Sequence, residues 1–307
     1  MLFKFVPCLL FLALPFYLVA AEILAAPDWQ RSPSGMISEE RLTEVSGMAV
    51  SRVDPDRLWV LNDGGDTATL YAVSTQGDLL GTLQIKGAEN SDWEDMASFS
   101  LNNKNYLLIG DMGDNAGKRK DCRFYVVEEP ATLAASITVK PLAIIPFSYS
   151  DGSRDVESIA VDVAAQKILL LSKREKVPAF YELPLVLKTA LAPLLAKKVV
   201  TMESLPQPTQ KDRESNPFMG PYLSQITAMD LSADGRNLAV LTYQDVFIYH
   251  RDRGEMWAAA LLRVPQTLPR HFLIQAEAIC FSQDGRSIFA TSERKVSSPL
   301  IRYDLKN

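Results

Sequence analysis

The sequence predicts an all-β fold, a β-propeller of five four-stranded blades closed by an N-terminal strand, with six blades as the alternative count. Three observations predict it. The run Ile226-Thr-Ala-Met-Asp-Leu-Ser-Ala-Asp-Gly-Arg-Asn-Leu-Ala-Val-Leu-Thr matches Ala276-Glu-Ala-Ile-Cys-Phe-Ser-Gln-Asp-Gly-Arg-Ser-Ile-Phe-Ala-Thr-Ser without a gap. Each copy is a strand, an Asp-Gly turn and a second strand, the strongest short-range hairpin signal. Weaker copies recur at Val45-Ser-Gly-Met-Ala, Trp93-Glu-Asp-Met-Ala and Val156-Glu-Ser-Ile-Ala, so hairpins open at Ser46, Glu94, Glu157, Thr227 and Glu277. Internal repetition at roughly 40 to 50 residues is the mark of propeller blades. The third observation is an aromatic-bearing strand after each hairpin, where neighbouring blades pack face to face.

Those third strands read Thr69-Leu-Tyr-Ala-Val, Arg123-Phe-Tyr-Val-Val, Ala179-Phe-Tyr-Glu-Leu, Val246-Phe-Ile-Tyr-His and Leu300-Ile-Arg-Tyr. Fourth strands are expected at 79–85, 142–147, 199–202 and 257–264. The last hairpin runs out after its third strand, so residues 29–37 are expected to supply its fourth and remove an edge that invites aggregation. The wide interval between the third and fourth hairpins leaves room for a sixth blade at 188–224, but only one strand-like run is visible there. A two-sheet sandwich is the alternative architecture, and it does not explain a gap-free repeat.

The chain of 307 residues is 47% hydrophobic and 22% charged, with a net charge of −5. That suits a globular protein with a large core and disfavours nucleic acid or an anionic membrane surface as partner. Residues 5–21 carry no charge and end in Val19-Ala20-Ala21, as a signal peptidase requires. The expectation is a signal peptide at 1–21 and one propeller domain at 22–307, exported to the periplasm or secreted, free of the membrane after cleavage and monomeric. An uncleaved anchor is the alternative, the apolar run only just reaching the spanning limit. Cys122 and Cys280, the cysteines of the mature part, fall in different blades and are expected as buried thiols.

The hairpin alignment also makes polar columns. Glu44, Asp92, Asp155, Gln225 and Gln275 stand two residues before the openings, and an apolar residue separates them from the openings each time. Period two puts both polar columns on one side of the strand. The second strands end beside them in Asn62, Gly110, Ser172, Thr242 and Ser292, followed by Asp63, Asp111, Lys173, Tyr243 and Glu293. Radial symmetry gathers these at one mouth of the channel. Like charges 4 Å apart repel by about 4 kcal/mol at an effective dielectric of 20. A cation, a basic side chain or raised pKa values must relieve the crowding, or the carboxylates serve as hydrogen-bonding glue between blades. Hard oxygen ligands without His or Cys select Ca²⁺ or Mg²⁺, and an irregular mouth suits Ca²⁺.

At Glu94-Asp-Met-Ala, Glu157-Ser-Ile-Ala and Glu277-Ala-Ile-Cys the chain resembles the calcium-dependent propellers of the phytase-like and gluconolactonase/paraoxonase-like groups. The likeness covers the short hairpins and not whole blades, and it departs from those groups in how regularly the Glu repeats. It implies a metal held in the channel mouth by acidic and amide oxygens. The corresponding expectation is a Ca²⁺-dependent hydrolase of a phosphate or carboxylic ester, with Glu94, Glu157, Glu277 and Asn62 as ligands and Asp111 as general base. Lys173, Arg174, Arg294 and Asp63 would meet a small anionic substrate or ester. The competing expectation is a non-enzymatic propeller that binds a protein or glycan on the same face. A Ser-His-Asp mechanism is disfavoured, because His250 reads as a surface residue and His271 as a loop residue that either carries protons or is merely exposed. The Pro-rich stretch 206–221 joins the third and fourth blades at the mouth, where Phe218 and Met219 would cover the site as a lid or pack on the rim.

Overall fold

The computed structural model describes residues 27–306, so the expected signal peptide lies outside the described residues. The chain opens with β1 (Trp29–Ile37), then β2 (Val45–Val50), β3 (Arg57–Asn62), β4 (Thr69–Ser74) and β5 (Leu79–Ile85). Next come β6 (Trp93–Leu101), β7 (Lys104–Asp111), β8 (Arg123–Glu128), a short β9 (Ser136–Val139) and β10 (Ala143–Tyr149). The third group is β11 (Val156–Asp162), β12 (Lys167–Ser172), β13 (Ala179–Pro184) and β14 (Leu194–Thr201), followed by helix α1 (Gln210–Ser215). Then follow β15 (Ile226–Leu231), β16 (Asn237–Thr242), β17 (Val246–His250), the short helix α2 (Trp257–Ala260) and β18 (Gln266–Thr267). The last group is β19 (Ala276–Phe281), β20 (Ser287–Ser292) and β21 (Ser298–Leu305).

The fold is all-β and propeller-like. Within each group the strands pair antiparallel in sequence order, and β1 pairs antiparallel with β21, giving the order β1-β21-β20-β19. The N-terminal strand thus closes the last sheet, as its position in the sequence predicts. The inner strands pack in a circuit, β2 on β6, β6 on β11, β11 on β15, β15 on β19 and β19 on β2. Two additions are not legible in the repeat. Strand β9 adds to β5 in parallel, and β10 adds in parallel to β14, joining two neighbouring sheets at their outer edges. Both cover edges that would otherwise present unpaired backbone groups.

The turns follow local chemistry. In the two gap-free repeats Ser232 and Ser282 each donate to the turn aspartate, Asp234 or Asp284, at 2.6 Å and accept a backbone N–H at 2.9 Å. Gly235 and Gly285 then take φ of +70° and +69°, where a Cβ would be strained. Tyr71, Tyr125, Tyr181, Tyr249 and Tyr303, one in each third strand, are buried. Tyr303 donates to the carbonyl of Pro269 at 2.9 Å, and Tyr125 accepts the Glu89 N–H at 3.2 Å. The recurring aromatic therefore fills the space between sheets while its hydroxyl ties down a loop that leads to an inner strand.

One expected strand is corrected. Residues 257–264 form a helical turn at Trp257–Ala260, and the outer strand is the two-residue β18. The Ala258-Ala259-Ala260 run favours helix, and Trp257 is buried with Arg251 over its ring at 4.6 Å. The stretch 188–224 contains β14 and α1 and no hairpin. Cys122 and Cys280 are free and buried. Among the described residues no helix is long and apolar enough to cross a membrane.

Candidate metal centre at the channel mouth

The inner strands carry a shared irregularity at the mouth. The register shifts between Val45 and Gly47, Trp93 and Asp95, Val156 and Ser158, Ile226 and Ala228, and Ala276 and Ala278. Each opening residue, Ser46, Glu94, Glu157, Thr227 or Glu277, is therefore the extra residue of a β-bulge, a device that re-aims a side chain at a sheet's end. Where that residue is a hydroxyl, it bonds the neighbouring sheet: Ser46 donates to the Trp93 carbonyl at 2.9 Å and Thr227 to the Ala276 carbonyl at 2.7 Å. Glu94 and Glu157 instead join other carboxylates, while Glu277 meets Lys173 and the Tyr243 hydroxyl.

Two groups form. Carboxylate oxygens of Asp63, Asp92 and Glu94 lie within 4.8 Å of one another, and so do those of Glu94, Asp155 and Glu157. Asp155 and Glu157, separated by one residue, bring their oxygens together, as do Asp92 and Glu94. Glu94 belongs to both groups. It is 5% exposed and, among the described residues, has no hydrogen-bond donor and no ion pair. Burial, reinforced by Glu157 and Asp63, raises its pKa well above the ordinary carboxyl value. Burial and Asp63 likewise raise Asp92 to about 6, and burial raises Asp63.

Glycine makes room for this crowding. A Cβ on Gly113 would overlap Glu94 Oε1 and come within 2.6 Å of Asp92 Oδ2, and one on Gly64 would come within 2.8 Å of Asp92 Oδ1. Both glycines stand two residues past the strand position that pairs with the residue before the bulge, Asn62 with Val45 and Asp111 with Trp93. That pairing corrects the sequence alignment by one residue. Asp111, not Gly110, is the counterpart of Asn62, and Met112 is the counterpart of Asp63 and Lys173.

The shift changes what Asp111 faces. Its carboxylate is fully buried, ion-paired with Arg119, 3.8 Å from Arg123 and an acceptor of the Asp92 N–H at 3.2 Å. It supports the backbone beneath Asp92 from behind. Asn62 is likewise turned to its own loop, donating to the Arg41 carbonyl at 2.6 Å and to Asp66 at 2.7 Å while accepting the Glu44 N–H at 3.3 Å. Neither stands in the carboxylate groups.

Lys173 fills the other half of the mouth. Its ammonium pairs with Glu157, lies 3.9 Å from Glu277 and sits 5.1 Å from the centre of the Tyr243 ring. Tyr243 donates to Glu277 at 2.7 Å. Burial alone would lower the lysine, but Glu277 and Glu157 hold it charged, well above its usual value. Burial raises Glu157 to about 8 and Glu277 to about 7 against the pull of Lys173. At neutral pH the glutamates thus carry fewer charges than there are carboxyl groups. Arg174 pairs with Asp155 and donates to Asn115, and Arg294 is exposed on the loop after β20.

A cavity of about 760 Å³ adjoins this mouth, lined by Lys173, Arg174, Lys176, Pro178, Gln207 and Arg213 among others. Its outer wall is the proline-rich stretch, in which Thr209 and Asp212 form a capping box that starts α1. Phe218 is 83% exposed there, so it does not pack on the rim. His250 is exposed, as expected. His271 is not: it is 2% exposed, donates from Nε2 to the Thr242 carbonyl and accepts the Leu273 N–H at Nδ1, and burial lowers it to about 4. It holds the loop before β19 as a neutral ring and carries no proton into the mouth.

No family model matches the sequence, and no curated protein matches it. Among solved structures, the chain is similar to a luciferin-regenerating enzyme at 9% identity and a TM-score of 0.48, over 89% of this chain and 95% of that one. It is also similar to the hydrazine synthase of Kuenenia stuttgartiensis at 9% identity and a TM-score of 0.45, over 84% and 83% of the two chains. Likeness at that level carries neither activity nor ligand across, so the functional reading rests on the site itself.

Proposed function

We propose that this chain is an exported, monomeric five-bladed propeller whose mouth holds a hard divalent cation, Ca²⁺ by its ligand chemistry, on Asp63, Asp92 and Glu94. The observation that carries the reading is Glu94, a buried carboxylate with no donor, aimed into a group of other carboxylates. An uncompensated buried charge costs several kcal/mol, so a proton or a cation must accompany it. An all-carboxylate donor set fits Ca²⁺ better than Zn²⁺. The count of five blades is supported by the circuit of β2, β6, β11, β15 and β19 and by the lack of a hairpin at 188–224.

The bound ion would give the mouth a positive centre able to polarise a ligand oxygen and acidify a water. The protein's own residues do the rest. Gly64 and Gly113 leave the carboxylates space, Asp111 with Arg119 holds the Asp92 backbone, and the adjoining cavity offers Lys176 and Arg213 to an anionic group. The ligand is accordingly a small anion or ester bearing phosphate or carboxylate. Hydrolysis of such an ester would further need a proton acceptor beside the ion. Asp111, sealed from solvent, is removed from that role. Binding of a protein or glycan without turnover is the second reading, favoured by Phe218 and Tyr222, both exposed on the loop beside the mouth.

The test is a thermal melt after chelation and again after adding Ca²⁺, Mg²⁺ or Zn²⁺, with elemental analysis of the dialysed protein. Ca²⁺ at a hundredfold over its Kd should add about 2.7 kcal/mol. A melt indifferent to every ion, with no metal retained, would sink the metal reading and leave the carboxylates as structural glue. Turnover of p-nitrophenyl phosphate or acetate that requires the ion separates the hydrolase from the binding module. N-terminal sequencing of the mature protein tests cleavage after Ala21.

A further inference from the structure

We propose that Lys173 is a tethered cation that keeps a second divalent-ion position closed, at Glu94, Asp155 and Glu157, so that the mouth takes one metal ion and not two. The inference rests on the metal reading above and assigns the control of that site. Glu94 is shared by both carboxylate groups, and each brings its oxygens within 4.8 Å of one another. Geometry alone therefore offers two positions.

The groups differ in what neutralises them. Among the described residues, neither Asp63 nor Asp92 nor Glu94 has an ammonium or guanidinium within ion-pair distance. In the second group Lys173 pairs with Glu157 and Arg174 with Asp155. Lys173 is fixed for this task, since its backbone N–H donates to the Asp155 carbonyl at 3.1 Å, directly beside the group. Its side chain is 5% exposed and enclosed by Glu277 at 3.9 Å and the face of Tyr243. Tyr243 in turn holds Glu277 through its hydroxyl.

A charge delivered on the protein's own side chain arrives at high effective concentration, because the tether has already restricted where it can be. A lysine provides three N–H donors on a compact point charge, enough to occupy the oxygens a metal would need. An ion entering at Glu157 must displace the ammonium towards Glu277, 3.9 Å away, and bear the repulsion of a second buried cation beside it. The unpartnered Glu94 leaves the first group open, while Lys173 closes the second.

The test is equilibrium dialysis against Ca²⁺ at saturating concentration, with elemental analysis of bound metal per chain, for the wild type and Lys173→Met. The expected result is one Ca²⁺ in the wild type and two in the variant. One ion in both would overturn the inference and leave the metal reading standing, and two in the wild type would do the same. No ion in the wild type would overturn the metal reading itself, and with it this inference. Should K173M unfold in chelator, folding should return on adding Ca²⁺, again with two ions per chain. A variant that stays unfolded at saturating Ca²⁺ would also count against it, since the ion should replace the missing charge.

Discussion

Replacing Glu94 by Gln keeps the shape of the buried side chain and removes its charge. The carboxylate oxygens around it lie within 4.8 Å, and at that separation one pair of charges repels by roughly 3.5 kcal/mol at an effective dielectric of 20. Glu94 has its pKa raised above that of the unfolded chain by burial first and by Glu157 and Asp63 next. A raised carboxyl pKa means that the folded state binds the proton more tightly. Its stabilising contribution is present at low pH and is lost as pH rises. In chelator at pH 8, E94Q should therefore be more stable than the wild type by about 2 to 4 kcal/mol, of the size of one such repulsion. For a chain of this size that is a rise in Tm of about 3 to 7 °C. Towards pH 5, as Glu94 with its raised pKa takes up a proton in the wild type, the difference should shrink. Adding Ca²⁺ should raise the wild-type Tm and leave E94Q where it was. Differential scanning fluorimetry across pH, with chelator or Ca²⁺, reads all four conditions. If E94Q melts lower than wild type at pH 8 in chelator and still responds to Ca²⁺, Glu94 is a supporting acceptor and not the uncompensated ligand inferred above.

Gly113→Ala should leave the fold intact and weaken Ca²⁺ binding at least tenfold, because its Cβ collides with Glu94 and Asp92; unchanged calorimetric affinity would show that these carboxylates move freely. The metal-free protein should lose stability as pH rises from about 4.5, where the unfolded glutamates ionise, to about 7 for Glu277 and about 8 for Glu157, where they ionise in the fold. His271, held neutral when folded and protonated when unfolded, should work against that trend as pH falls from 6.5 to about 4. For His271 the loss is at most about 3 kcal/mol, and a difference in urea stability between wild type and His271→Phe that stays constant from pH 4 to 6.5 would contradict its burial. Replacing 209–218 by a short Gly-Ser link should change Tm by less than about 2 °C, because α1 buries no residue and its Asp212–Arg270 pair is an exposed one. Its effect on binding of inorganic phosphate to the Ca²⁺-loaded protein reports whether the loop covers the cavity, and unchanged affinity would count against a lid.

The repeat was legible because a hairpin writes itself locally. Period two, an Asp-Gly turn and an aromatic in the next strand lie within some thirty residues of one another. The closing role of residues 29–37 followed from counting strands. What escaped was set by contacts distant in sequence. The parallel additions of β9 and β10 depend on which edges are left bare, and no local pattern marks them. The Trp257–Ala260 turn was read as strand on its apolar content, although its alanines favour helix. At the site, Glu94, Glu157 and Glu277 were visible as a column, and so was their need for a counter-charge. The fate of Asp111 was not, because a one-residue slip in aligning β7 placed it beside Lys173. Matching Gly64 with Gly113 would have restored the register and shown why each glycine is needed.

The same column explains why the centre sits to one side of the channel. Symmetry presents five equivalent bulged positions, and the chain fills them unequally. Ser46 and Thr227 spend their hydroxyls on a neighbouring sheet's carbonyl and bring no charge. Glu157 and Glu277 share Lys173 and the Tyr243 hydroxyl. Among the described residues only Glu94 of the five is left without a partner, and Asp92 and Asp63, whose oxygens lie within 4.8 Å of its own, add to the negative field it stands in. A purely structural network would have spread the available donors evenly, because each unsatisfied buried carboxylate costs stability. The fold instead pairs Arg119 with Asp111, behind the site, and among the described residues the group in front has no ion pair. That uneven placement favours the proposed cation site over carboxylates that merely hold the sheets together.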